Sequence, residues 1–165
     1  MAFDIFLKLG DIKGESRDMT HKDEIQVGSW GWGMSQDGTM HEGTGGGAGK
    51  VSVQDLAFTK YVDKSTPNII RACTRGDHIN RAILTVRKAG GENPLEYLKI
   101  TLTDVVVSMY GLGGAAGTNA ADRLTENVSL HFAEFKVEYQ PQSAKGEKEG
   151  GIVGMTWNIP KNAAS

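Results

Sequence analysis

The chain has 165 residues, with 18 basic against 20 acidic side chains, a net charge of −2 and no basic run. That length fits one domain with a real core, and the charge balance excludes a nucleic-acid surface built on bulk electrostatics. A single cysteine, Cys73, excludes an intrachain disulfide, so the fold must be complete in a reducing cytoplasm.

The opening stretch MAFDIFLKL carries Asp4 and alternates, unlike the basic and then apolar run of a secretory signal. No stretch approaches the roughly 20 apolar residues of a spanning helix. The expectation is a protein made in the cytoplasm without a signal peptide and with no membrane insertion, which another machine must export. Residues 3–9 predict a first strand with Phe3, Ile5, Leu7 and Leu9 inward and Asp4, Phe6 and Lys8 outward. Phe6 on the polar face hints at a covered outer surface. Residues 10–23 read as a polar loop. In the strand predicted at 24–36, Ile25 and Val27 hold odd positions and Trp30, Trp32 and Met34 even ones. If both indoles pack inward, Gly31 shows bare backbone on the opposite face.

Residues 37–50 (DGTMHEGTGGGAGK) form an excursion far longer than a hairpin needs. The strand at 50–62 also changes phase, from Val51 and Val53 to Leu56 and Phe58. A helix follows, capped by Ser65 or Thr66, with Pro67 in its first turn, Ile69, Ile70 and Cys73 on one face, and Gly76 at its end. Cys73 on that face reads as core filler. Strand 78–89 puts Ala82, Leu84 and Val86 on one face and Arg81, Ile83, Thr85 and Arg87 on the other. The turn at 89–94 makes a hairpin with strand 95–110, where Leu98, Ile100 and Leu102 give way to Val105, Val107 and Met109.

Residues 111–123 form a second Gly/Ala-rich loop. In strand 125–140, Val128, Leu130 and Phe132 give way to Phe135, Val137 and Tyr139. A polar linker at 141–151 leads to a short strand through Val153, Met155, Trp157 and Ile159, and residues 161–165 read as a frayed tail. Four strands with mid-length phase changes predict an all-β fold in one domain, residues 1–160: a small closed β-barrel of about eight bulged strands with one short flanking α-helix. The alternative is that some of these strands are two short ones separated by a kink.

No catalytic, cofactor-binding or metal-binding residues are expected. The run Gly43-Thr44-Gly45-Gly46-Gly47-Ala48-Gly49-Lys50 looks like a phosphate loop but fails on mechanism. Val51 stands where a Mg²⁺-binding Ser or Thr belongs, and the residues that follow alternate as a strand rather than opening a helix. His21, His41, His78 and His131 lie too far apart to suggest a metal pair. No serine sits in a nucleophile elbow. What remains is outward apolar surface at Phe6, Ile83, Val106 and Tyr110, with whichever apolar set follows each phase change, and this favours a subunit interface. Contacts between two different patches would close into a ring.

Several stretches, in order, carry a specific pattern. They are Gly14-Glu15-Ser16 with Asp18 and His21, then Trp30-x-Trp32-Gly33-Met34-Ser35-Gln36, then Val53-Gln54-Asp55-Leu56-x-Phe58-Thr59-Lys60-Tyr61 with Asp63, Ser65 and Pro67. Leu84-Thr85-Val86-Arg87-Lys88-Ala89-Gly90-Gly91-Glu92-Asn93, Tyr97-Leu98 and Asp122-Arg123-Leu124-Thr125-Glu126-Asn127-Val128 complete the set. Across essentially its whole length the chain resembles the haemolysin-coregulated (Hcp) proteins of type VI secretion systems. The resemblance implies a non-enzymatic barrel assembled as hexameric rings. These stack into the tube that a contractile sheath and spike apparatus drives outward, carrying small effectors in the lumen.

The resemblance also implies that Gly31 faces the lumen; relatives often carry serine between the two tryptophans. The glycine-rich loops, through Gly45, Gly46, Gly47, Gly113 and Gly114, are expected at the ring faces, guiding stacking. Some relatives carry a toxin domain after the barrel, so a chain that stops at Ser165 reads as the bare tube subunit. The competing readings are a ligand-binding or enzymatic barrel using the 43–50 loop, and a stand-alone secreted effector.

Overall fold

The computed structural model describes residues 3–38, 41, 49–114 and 123–165. Alternating segments become eleven strands: β1 Phe3–Leu9, β2 Ile25–Gln26, β3 Ser29–Gly31, β4 Met34–Ser35, β5 Ser52–Val53, β6 Leu56–Tyr61, β7 Ile79–Lys88, β8 Glu96–Gly113, β9 Thr125–Tyr139, β10 Val153–Asn158 and β11 Ala163–Ala164. One helix, α1 Thr66–Arg75, lies between β6 and β7. The main sheet runs β11-β10-β9-β8-β7-β1-β2, with β6 also paired to β9 and β3 to β6; β4 and β5 form a separate pair. Every pairing described is antiparallel.

The predicted phase changes resolve in two different ways. In β8 and β9 the strands run on through them, and the two changes lie opposite each other. Thr103 pairs with Glu134 and Val105 with Phe132, while the intervening Asp104 takes a left-handed φ of 54°. Both strands turn over at one place, so Ile100, Leu102 and Phe135 are buried on one side of it and Val105, Val107, Leu130 and Phe132 on the other. A register shift follows between Val107 and Met109, across Ser108.

The other two changes break their strands, so the count of about eight bulged strands is corrected: 24–36 holds β2, β3 and β4, and 50–62 holds β5 and β6. The reason at the first is a change of partner. Val27 N donates to Ile5 O at 3.0 Å, and the next amide, Gly28 N, donates to Thr59 O at 2.8 Å. One residue belongs to the β1 side and the next to β6.

Helix α1 sets Ile69 and Ala72 into the core, with Cys73 packed beside them as filler. Ile70, expected on the same face, is 38% exposed; 69, 72 and 73 share the i, i+3, i+4 stripe and position 70 lies about 100° away from 69. Ser65 has helical dihedrals and makes no side-chain cap. Asp63 caps instead, its carbonyl accepting from Thr66 N at 3.1 Å and its Oδ1 from Ser65 N at 2.9 Å. Gly76, at φ 65°, ends the helix in the left-handed conformation. The tail is also corrected: residues 163–164 form β11, pairing with Trp157 and Asn158 of β10.

Candidate functional site

Across β3, β6, β9 and β8, Trp30, Phe58, Val128 and Tyr110 form one registered row directed into the core. The rows on either side point the other way. One is Ser29–Thr59–Asn127–Gly111 and the other Gly31–Ala57–Ser129–Met109. None of these eight residues is charged. All but Ser129 line a shallow groove of about 430 Å³ whose one large projection is Met109, 44% exposed. Ser29 and Thr59 satisfy each other's hydroxyls at 2.6 Å.

Gly31 lies in the groove with its outer side open: a β-carbon there would meet no atom within 4 Å. Trp30 and Trp32 both pack against the core, and Trp32 Nε1 donates to Gln54 O at 3.0 Å. Charge returns only at the margins. At one end Asp55 accepts from Ser108 Oγ at 2.6 Å and contacts His131 Nδ1 at 2.8 Å. At the other, the Arg123 guanidinium lies 4.4 Å over the Tyr61 ring.

The four residues expected at an outward interface separate. Ile83 and Val106 are half-buried, Val106 opposite His131. Phe6 is only 3% exposed, covered by its own chain: His21 stacks on its ring at 4.4 Å and Arg87 lies 4.9 Å above it. Phe6 is therefore not a bare outward residue; the 10–23 loop occupies that face. Tyr110 is corrected likewise, since its ring packs on the core and its hydroxyl donates to Glu126. Burial, reinforced by Glu126, pushes that phenol above its ordinary range. Gly113 and Gly114 are exposed where β8 ends, while Gly45, Gly46 and Gly47 lie outside the described residues.

Sequence reasoning missed three features. The first is a sealed ionic network: Lys60 Nζ contacts Glu126, and reaches Asp63 Oδ1 at 3.0 Å and Tyr61 O at 2.9 Å, while Glu126 also accepts from Thr66 Oγ1 at 2.8 Å. The signal was present, because Lys60 shares the parity of Leu56 and Phe58, Glu126 that of Val128 and Leu130, and the two are cross-strand partners. The second is the bidentate pairing of the buried Arg87 with Asp18 at 2.6 and 3.1 Å, extended to Asp4 at 3.0 Å. The third is an exposed apolar strip at Tyr139, Val153 and Met155, with Ile152 beside it. Tyr139, Val153 and Met155 share the core-side parity of Phe135 and Trp157 but lie beyond the end of the core, leaving Val153 65% exposed.

Among the described residues no group of three or more His, Cys, Asp or Glu could hold a metal, and no helix is long and apolar enough to cross a membrane. The family model described as "Type VI secretion system effector, Hcp" matches residues 6–139. The chain is 61% identical over 162 residues to Protein hcp1 of Pseudomonas aeruginosa, covering 98% of each. Among solved structures, Hcp1 from Salmonella typhimurium aligns over 100% of both chains at 41% identity with a TM-score of 0.80. A structure described as that of a type six secretion system protein aligns over 99% of this chain and 100% of its own, at 31% identity and a TM-score of 0.90.

Proposed function

Because the chain belongs to the Hcp family of type VI secretion proteins, a structural and secreted family rather than an enzymatic one, we propose that it is the subunit of the secretion tube. Six copies form a ring, rings stack, and the stack is driven outward by the contractile sheath and spike with small effector proteins inside. The chain is then made in the cytoplasm and ends outside the cell or in a target cell. The observation that carries this reading is the open face around Gly31, whose eight uncharged residues offer moving cargo no fixed charge to stall on. We assign that face to the lumen.

The closed barrel and the single domain over 1–160 belong to the same proposal. Closure is supported by the consecutive amides of Val27 and Gly28, which link β1 to β6 and would complete a circuit through β7, β8 and β9. For the lateral contact, Ile83 and Val106 stay as candidates and Phe6 and Tyr110 do not. The strip of Tyr139, Val153 and Met155 is a stronger one, since it carries apolar surface past its own core. Stacking is assigned to the 37–50 excursion, carried on the β4–β5 pair, and to the second glycine-rich loop, which begins after Gly113 and not at 111 because β8 stays paired to that point. The enzymatic or ligand-binding reading of the 43–50 loop has no support from the relatives.

Native mass spectrometry with negative-stain imaging tests the assembly: six-fold rings are expected, and a strict monomer at high concentration overturns the proposal. Met155→Asp is expected to shift rings toward monomer with an unchanged far-UV spectrum. For the lumen, Gly31→Gln is expected to leave rings and export of the subunit intact and to lower co-purification of at least one small co-secreted protein. Unchanged recovery of every cargo would remove Gly31 from the lumen.

A further inference from the structure

One motif serves neither the open face nor the core: Gly14, Glu15, Ser16, Asp18 and His21, all in the loop after β1. In the fold these residues build a tied-down strap. Gly14 N donates to Asp23 O at 2.8 Å, Ser16 N to Glu24 O at 3.0 Å and Asp23 N to Ser16 O at 2.9 Å, joining the two arms. The arms pass so closely that a β-carbon on Gly14 would lie 2.5 Å from Glu24 O. Glu15 Oε2 accepts from Lys64 N at 3.1 Å. Asp18 Oδ1 accepts from Thr20 N at 2.9 Å and His21 N at 3.1 Å, fixing the tip on which Met19 stands 97% exposed.

We propose that residues 10–23 are a pH-sensitive strap, latched over Phe6 by a His21 ring that bridges Glu24 and Glu96 while it carries both ring protons and releases one of them when it does not. The ring is buried and lies flat on Phe6. Its Nδ1 is 2.7 Å from Glu24 Oε2 and its Nε2 2.5 Å from Glu96 Oε1, on β8. Carboxylates only accept, so both contacts are hydrogen bonds only when both nitrogens bear protons; the neutral ring turns a lone pair toward one of them. The other charged groups tied to this cluster are Asp18 on the strap, which accepts from His21 N, and Arg87 on β7, which lies over Phe6 and pairs with Asp18 and with Asp4 on β1.

Those three form a second tie that behaves differently. Arg87 keeps its charge, and its hydrogen bonds hold the Asp18 carboxyl down at about 2. This tie stays intact through the range in which an imidazole titrates. One tie is therefore permanent and the other switchable: as pH rises and the ring gives up one proton, the His21 contacts loosen and Phe6 is uncovered, while the Met19 tip stays fixed by Asp18.

Amide hydrogen exchange of the full-length protein, at about pH 5.5 and about pH 8.5 and corrected for intrinsic rates, tests this. The opening constants of the Gly14, Ser16 and Asp23 amides are expected to rise roughly tenfold with pH, the scale of one charge-assisted hydrogen bond, while those of β8 and β9 stay level. His21→Phe keeps the stack and removes both nitrogens, so its strap is expected to be equally open at both pH values. Glu96→Gln is a milder variant, able to accept from the ring or donate to it, and it flattens the step. A wild-type strap with no step, or a full step in either variant, overturns the proposal.

Discussion

Two ion-pair networks tie peripheral segments to the same sheet, and they differ in their access to water. Lys60 and Glu126 are wholly buried and hold the start of α1 against β6 and β9 through Asp63 and Thr66. Arg87 and His21 hold the 10–23 strap, but their partners Asp4, Asp18 and Glu96 remain partly open to solvent. Desolvating both members of a pair makes the loss of either costly, because the survivor is stranded. A partner at the rim is rescued by water when its mate is removed. The sealed network therefore specifies architecture, whereas the rim network can respond to conditions.

The largest effect expected is from breaking the sealed pair singly. Lys60→Met should cost about 3–5 kcal/mol in urea unfolding, because it leaves the buried Glu126 carboxylate without a counter-charge; Glu126→Leu should cost less, since Lys60 keeps Asp63. The double variant should recover most of that loss. If the single variants cost less than about 1 kcal/mol, water reaches the pair and the contrast with the strap collapses. Next is Arg87→Met, which removes two hydrogen bonds to Asp18 on the strap and one to Asp4 on β1; a loss of about 1.5–3 kcal/mol is expected, with exchange rising in residues 10–23 and not in α1.

The acid limb sharpens the comparison. The folded-state pKa of Asp18 is depressed from 3.8 to about 2, chiefly by the Arg87 hydrogen bond. Its contribution is therefore present above the unfolded value and lost as pH falls toward 2. The stability gap between wild type and Asp18→Asn should be full at pH near 6 and close progressively below about pH 4. A gap independent of pH would mean that Asp18 acts through its turn geometry and not its charge.

The smallest effect is expected on the open face. Gly31→Ser adds a side chain with nothing in reach, so stability should change by no more than about 0.5 kcal/mol. A larger loss would show that the face is packed against something within the chain.

Parity along the chain was enough to determine much of this protein. Alternation located the long strands β8 and β9, turned Trp30 and Trp32 inward and Gly31 outward, and Pro67 with Gly76 bounded the single helix. These follow from local stereochemistry, since a strand's side chains alternate whatever it pairs with. The same parity put Lys60 and Glu126 on the core side, but only the β6–β9 register could bring them together. Whether a phase change bends a strand or breaks it was decided by partners. Val27 and Gly28 bond to different strands, whereas Asp104 and Ala133 turn over together. Phe6 was outward by parity and buried in fact, because two residues of a loop that read only as polar, Asp18 and His21, met Arg87 and Glu96 from distant strands. Burial of an outward residue depends on what the rest of the chain lays over it, and that is a property of the tertiary fold alone.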